Sequence, residues 1–185
     1  EARRLWGIAL QQLGEYEEAE TVLLDALARM LAQEGFFHEG IGGDTGHLPD
    51  SNELRQDWEA HLSNLSLKKE LVQLAEWMET IEALGLTYRY RRLHVECIQT
   101  FKKLTAMSSE DVSSSFIVRA LPRTHAHLGY CYAMAQGREV NALFHFEEAC
   151  KLDKREQLPE VCDQVCTLNP KHPECQPRSK KVVFQ

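Results

Sequence analysis

The chain has 185 residues, of which 43% are hydrophobic and 26% are charged, and its formal net charge is −7. These values are typical of a folded domain or a short helical array with a buried core. The negative charge argues against a nucleic-acid partner held mainly through its phosphates, and no apolar run reaches the ~20 residues that span a membrane. The first residues, EARRLWGIALQ, lack the apolar core of a signal peptide. We therefore expect a cytoplasmic or nuclear protein rather than one of the secretory lumen.

The first 34 residues predict two helices joined by a short turn. Leu10 and Leu13 lie at helical spacing, and Gly14 ends that helix because glycine adopts backbone angles that other residues avoid. The acidic segment EYEE then begins a second helix, since the peptide dipoles favour negative charge at a helix N-terminus. Ala19 and Ala26 lie seven residues apart on the second helix, where we expect them to be buried against the first.

A glycine-rich segment, GFFHEGIGGDTGHLPD, occupies residues 35–50 and is expected to be a mobile loop. Its His38, Asp44 and His47 are potential metal ligands. However, no G-K-[ST] signature and no preceding apolar strand support a metal or phosphate loop, so a linker is favoured.

The middle of the chain is expected to contain further helical pairs. Gly85 is predicted to be a turn, with Tyr90 and Cys97 at the two small positions of the helix after it. Pro122 is predicted to break the helix that follows a serine-rich linker. The expected divisions are a first helical unit at 1–34, a loop at 35–50, helical pairs at 51–105, a polar linker at 106–122, a last helical unit at 123–154, a capping helix at 155–169 and a tail at 170–185.

The pattern of the first unit recurs near the end of the chain. Four positions, each 123 residues further along, match Gly14, Ala19, Leu23 and Ala26; they are Gly137, Ala142, Phe146 and Ala149. The preceding helix carries Leu128-Gly129 where the first carries Trp6-Gly7, with one residue inserted. A match of this kind at a constant interval indicates an internal repeat.

The repeated positions resemble the tetratricopeptide repeat (TPR), a 34-residue helix-turn-helix unit. The family's first-helix glycine, its turn residue and its two alanines are matched by Gly7, Gly14, Ala19 and Ala26. The resemblance covers about half of the chain, and the intervals between units depart from 34. It implies an all-α fold, namely a TPR-like array of helix-turn-helix repeats (a short α-solenoid) with inserted loops.

The six cysteines fall into two groups. Cys97, Cys131 and Cys150 lie in helical patterns and are expected to be buried thiols. The segment CDQVCTLNPKHPEC has four potential zinc ligands, which are Cys162, Cys166, His172 and Cys175. Structural zinc sites usually contain C-x2-C pairs, so ordinary thiols on a capping helix are favoured over zinc and over a disulfide of an oxidising compartment.

No catalytic pair or cofactor signature accompanies the repeat, so we expect neither an enzyme nor a cofactor. The resemblance implies that first helices line a concave surface, which would bind a peptide or helix of a partner protein. Aligned on Gly7, Ile8 replaces the asparagine with which some TPR proteins bind a chaperone's terminal carboxylate, so that ligand is disfavoured. The predicted partner-binding residues are Arg4, Ile8, Gln11, His125, Tyr130 and Met134.

The favoured function is therefore a scaffold or adaptor that binds protein, not nucleic acid or membrane. The acidic second helix favours a basic partner segment. The alternative is a structural helical-repeat arm of a larger enzyme or multisubunit assembly, since the sequence opens within a helical pattern.

Overall fold

The computed structural model describes residues 1–33, 71–110, 115–153 and 158–175. Within these ranges the secondary structure is helical without strands, which confirms the predicted all-α class for this part of the chain. In chain order the elements are α1 (Ala2–Leu13), α2 (Tyr16–Gln33), α3 (Leu71–Tyr90), α4 (His94–Glu110), α5 (Ser115–Met134), α6 (Glu139–Leu152), α7 (Pro159–Leu168) and a 3-10 turn (Pro173–Cys175). The predicted loop at 35–50, with His38, Asp44 and His47, lies outside the described residues.

The helices pack in the order in which they follow one another, from α1 against α2 to α6 against α7. In addition, α1 contacts α3, and α3 contacts α5. Short turns join α1 to α2, α3 to α4 and α5 to α6, so these pairs are helical hairpins. The first helices of the three hairpins therefore lie side by side. Among the helices described, none has the length and apolar character to cross a membrane.

The turns of the first and last hairpins contain the two predicted glycines. Gly14 has φ 88° and Gly137 has φ 71°, values in the left-handed region. After α1, the Glu15 amide donates to the Leu10 carbonyl at 3.0 Å and the Gly14 amide donates to the Gln11 carbonyl at 3.3 Å. This pair of bonds satisfies carbonyls at the helix end that would otherwise lack a partner.

The prediction that Gly85 is the middle turn is wrong. Gly85 lies inside α3, and the turn comes seven residues later, where Arg92 has φ 61°. The Leu93 amide donates to the Tyr88 carbonyl at 2.9 Å, and the Arg92 amide to the Arg89 carbonyl at 3.1 Å, as in the turn at Gly14. Seven residues are close to two full turns of a helix. An alignment of the hairpin that is wrong by seven residues therefore leaves the same residues on the same helix face, and the error does not show in the sequence pattern.

Each hairpin brings a glycine of its first helix against a large side chain of its second. A Cβ added to Gly7 would lie 2.8 Å from the Leu23 side chain. A Cβ on Gly85 or on Gly129 would lie 2.6 Å from the rings of Phe101 and Phe146, respectively. These distances are shorter than van der Waals contact, so the close approach of the two helices requires glycine.

The small residues of the second helices are buried as predicted. Ala19, Ala26, Ala142 and Ala149 have at most 5% of their surface exposed. Tyr90, by contrast, is 52% exposed at the end of α3, so its assignment to a small position of the second helix is wrong. The correct register places Cys97, which is fully buried, at the position of Ala19.

The predicted helix break at Pro122 is also wrong, because α5 continues through this residue. A proline inside a helix removes one backbone hydrogen bond and clashes with the preceding turn. Here Pro122 is buried, as are Ala120, Thr124 and Ala126 around it. Tertiary packing of the helix therefore outweighs the local cost of the proline.

The cysteines form three disulfides, which corrects the expectation of free thiols. Cys97 of α4 is bonded to Cys131 of α5, Cys150 of α6 to Cys162 of α7, and Cys166 of α7 to Cys175 of the 3-10 turn. Cys97 and Cys131 are buried as expected, with no exposed surface, but they are not free. Each element after α3 is thus linked covalently to the next, except for the α5–α6 pair.

Candidate binding groove

A groove runs across the first helices of the three hairpins and has a volume of about 360 Å³. Side chains at helical spacing line it from each helix, because residues three or four apart share a face. They are Ile8, Gln11 and Gln12 of α1, Glu79, Glu82, Ala83 and Leu86 of α3, and Arg123 and His127 of α5.

The centre of the groove is an ionic network around Glu82. Its carboxylate accepts hydrogen bonds from the Arg123 guanidinium at 2.5 and 2.7 Å, in a two-pronged arrangement. His127 Nε2 lies 3.5 Å from the same carboxylate, while His127 Nδ1 is buried without a hydrogen-bond partner. Burial opposes the charge on Glu82, but hydrogen bonds from His127 and Arg123 outweigh it, so the pKa of Glu82 lies below its ordinary 4.5. Glu82 is therefore a negative charge in the groove at neutral pH.

One end of the groove is closed by a second ion pair. Arg4 of α1 donates to Glu79 at 2.6 Å and lies 4.0 Å from Glu76, both on α3. Arg4 is only 8% exposed, and its Nε atom is buried without a partner. This predicted binding residue therefore ties α1 to α3 and has little surface to offer a ligand.

Toward its other end the groove stripe continues along α5 with two more of the predicted residues. Tyr130 and Met134 follow Arg123 and His127 at intervals of three and four, so they share one helix face. The guanidinium of Arg89, on α3, lies 4.2 Å from the centre of the Tyr130 ring. This cation–π contact joins the two helices beside the groove.

His125 lies away from this stripe and instead faces the second helix of its hairpin. Its Nδ1 atom is 3.1 Å from Nδ1 of His145 on α6, whose ring stacks on Tyr132. Burial lowers the pKa of His145 to about 4, helped by the nearby His125 and Lys102 and opposed by Glu148. Burial lowers the pKa of His125 as well, again opposed by Glu148. Both rings are therefore neutral at pH 7, and one can donate to the other.

The structure thus brings Ile8 and Gln11 into the groove, places Tyr130 and Met134 on its continuing stripe, buries Arg4 at its end and turns His125 away. Four further residues of the groove were not predicted from the sequence, namely Glu79, Glu82, Arg123 and His127. The two residues on α5 could have been found from the spacing that leads to Tyr130. The two glutamates could have been found as well, because even with the turn placed at Gly85 they correspond to Ile8 and Gln11 of α1.

Charged and apolar side chains lie beside one another in the groove. The charged side chains of the groove are matched with each other, and apolar surface from Ile8, Ala83 and Leu86 lies beside them. Among the described residues no group of three or more His, Cys, Asp or Glu side chains could hold a metal ion. Of the candidate zinc ligands, Cys162, Cys166 and Cys175 are in disulfides, where sulfur is not a thiolate, and His172 lies 3.5 Å from Glu147.

Comparison of the chain with protein-family models, with curated proteins and with solved structures finds no match.

Proposed function

We propose that the chain is a TPR-like interaction module whose groove binds a segment of a partner protein. The observation that carries the proposal is the groove itself, which spans three side-by-side helices and combines an apolar strip with a buried carboxylate at its centre. Such a surface suits an extended peptide or a helix lying across the helices that line it. The binding energy would come from apolar contact at the half-buried Ile8 and Leu86, and the orientation from charge.

The partner segment carries a basic side chain that is directed to Glu82. Arg123 is 52% exposed, so exchanging its ion pair for one with an incoming arginine or lysine costs little. The Glu82 carboxylate is only 14% exposed, so it would gain from a partner that excludes water from the site. A basic partner was expected from the acidic residues of the second helix. The proposal now names one carboxylate, that of Glu82, as the group that binds it.

The module is proposed to work in an oxidising compartment, in contrast to the cytoplasmic or nuclear location expected from the sequence. Three disulfides persist in secreted and lumenal proteins, whereas cytosolic reductants keep thiols reduced. Mass spectrometry of the protein isolated from its native cells, alkylated without prior reduction, would test this. Recovery of all six cysteines in the alkylated form would contradict it.

Site-specific crosslinking tests the groove. A photoreactive amino acid at Gln12, which lines the groove and is exposed, should capture a partner in intact cells. The matched control is the same group at Thr21, an exposed residue of α2. Equal capture of the same protein at both positions would contradict binding in the groove.

Once a crosslinked segment is known, its synthetic peptide allows a test of the charge assignment. Glu82→Gln should weaken binding at least ~10-fold, whereas Arg123→Ala frees the carboxylate and should leave binding unchanged or strengthen it. Circular dichroism establishes that both variants remain folded. Weaker binding in Arg123→Ala with no change in Glu82→Gln would show that the partner contributes an acid rather than a base.

A further inference from the structure

The outer face of α1 differs from the corresponding faces of α3 and α5, and this difference points to a second interaction surface. The three helices can be superimposed on their glycines, since Gly7, Gly85 and Gly129 each lie against the large side chain of the following helix. Positions counted from these glycines are therefore equivalent in the three hairpins.

The residue just before each glycine shows the difference most directly. Leu84 of α3 and Leu128 of α5 have no exposed surface, whereas Trp6 of α1 is 55% exposed. Two residues before the glycine, Ala83 is 6% exposed and Leu5 is 51% exposed. A tryptophan and a leucine thus face solvent on α1. The position of Trp6 is a buried apolar contact in both α3 and α5, and that of Leu5 is one in α3, whereas α5 has the half-buried His127 there.

The structure also shows what covers the equivalent positions. The outer face of α3 packs on α2 and that of α5 packs on α4. Two residues after the glycine of α5, Cys131 is bonded to Cys97 of α4, so this position faces the covering helix directly. Its equivalent in α1 is Ala9. The covering element at both α3 and α5 is a helix. At α5 this helix brings a small residue, Cys97, against the position equivalent to Ala9.

One difference defines the partner further. Six residues after the glycine, α3 ends near Arg91, which is ion-paired with Glu20 of the covering helix α2. The equivalent residue of α1 is Leu13, which is 76% exposed. An acid opposite Leu13 would lose water without gaining an ion pair, so the covering helix must be apolar at this point.

We propose that the outer face of α1, formed by Leu5, Trp6, Ala9 and Leu13, is a docking surface for an amphipathic helix of a partner protein. The partner helix presents a small residue to Ala9 and apolar residues to Trp6 and Leu13, and its stripe contains no acid. Leu5, Trp6, Ala9 and Leu13 follow one another at helical spacing, so they form one continuous strip. This surface lies on the opposite side of α1 from Arg4 and Gln11, and the proposal does not depend on the function of the groove.

The test uses the whole chain labelled with 5-fluorotryptophan and observed by fluorine NMR. The probe is a hydrocarbon-stapled peptide with the sequence of residues 16–33, the helix that covers α3, in which Glu20 is replaced by leucine. It should shift the Trp6 resonance and leave that of the buried Trp77 in place. The same peptide with Glu20 retained should bind at least ~10-fold more weakly. A peptide of the same composition, in which the apolar residues no longer fall on one helix face, should not bind.

Two variants complete the test. Trp6→Glu should abolish binding of the peptide, measured by fluorescence anisotropy, while Val140→Glu, at an exposed apolar residue of α6, should not change it. Circular dichroism controls for folding. A Trp6 resonance that the leucine peptide does not move would overturn the proposal. So would a Trp6 resonance that shifts with protein concentration alone, accompanied by dimers in sedimentation, because the occupant would then be a second copy.

Discussion

The hairpin α1–α2 and the region from α4 to the 3-10 turn pack in the same way but are held by different bonds. In the first hairpin, Asp25 is ion-paired with Arg3 and Arg29. Arg4 connects the hairpin to α3, and Glu20 connects it to Arg91 in the turn after α3. Residues 1–33 contain no cysteine and no histidine. The later region contains three disulfides and the His125–His145 pair. The difference implies that one region responds to ionic strength and the other to reductant and acid.

Removal of the disulfide between α4 and α5 should give the largest effect. The double change Cys97→Ala and Cys131→Ala releases a constraint across 34 residues, which stabilises by about 4 kcal/mol in the loop-entropy treatment. Removing Cys166 and Cys175, which are 9 residues apart, should cost less, about 2.5 kcal/mol. Urea unfolding measures both. Equal losses would show that loop length does not govern the stability of this region.

Alanine in place of the packed glycines should destabilise both regions, because both depend on a glycine that lets the two helices of a hairpin approach closely. Gly7→Ala and Gly129→Ala are each expected to cost about 1–3 kcal/mol by overpacking. The cost should be greater at Gly129, where the added Cβ meets an aromatic ring at 2.6 Å rather than a leucine side chain. Gly137→Ala is the control, since nothing lies within 4 Å of it and only its φ of 71° is strained. A larger loss at Gly137 than at Gly129 would contradict the close approach of α5 and α6.

The ion pairs of the first hairpin should give a smaller effect. Asp25 is 5% exposed, so Asp25→Asn leaves two arginines without their carboxylate and should cost about 1–2 kcal/mol. Lys151→Gln, at a lysine on α6 that is 60% exposed, should change stability by under about 0.5 kcal/mol. Thermal melts in low and high salt should show that the difference in melting temperature between Asp25→Asn and the parent protein becomes smaller as salt is added. A difference in melting temperature that does not depend on salt would show that Asp25 stabilises the hairpin through packing and hydrogen-bond geometry rather than through its charge.

Arg92 offers a change of opposite sign at the turn between α3 and α4. Its φ of 61° is strained for arginine, so Arg92→Gly should raise stability by about 0.5–1 kcal/mol. Gly14→Ala, at the equivalent turn of the first hairpin, should lower it. Chemical denaturation of both variants measures whether the free energy of unfolding rises or falls. A lower free energy of unfolding in Arg92→Gly would show that the arginine side chain makes a stabilising contact.

The α5–α6 pair should also cause a loss of stability in acid. The pKa of His145 falls from 6.5 to about 4 on folding, so the unfolded chain binds protons that the folded chain does not. Stability should therefore decrease as the pH falls from about 6.5 toward 4, and this contribution should level off below that range. His145→Gln should make stability depend less on pH in the upper part of this range, where glutamates such as Glu82 do not yet titrate. An unchanged slope in this variant would assign the proton uptake to another group.

The sequence was sufficient for the all-α class, for the turns at Gly14 and Gly137 and for the buried alanines, because these depend on local backbone freedom and helical spacing. It was insufficient for the middle hairpin. There an arginine occupies the left-handed turn position, and Gly85, which resembles a turn residue, is required for close packing. The disulfide partners also depend on tertiary contact, since Cys97 and Cys131 are brought together only when α4 packs on α5.

The disulfides set a limit on how far the molecule can be extended by force. Tension applied to the two ends of an oxidised chain passes through the bond between Cys97 and Cys131, so the 33 residues between them carry no load. At about 3.4 Å per residue, roughly 110 Å of contour length stays hidden until this bond is reduced. The segments enclosed by the other two bonds are shielded in the same way. A pulled molecule would therefore lengthen chiefly at its N-terminal side, where α1 and α2 have no covalent link.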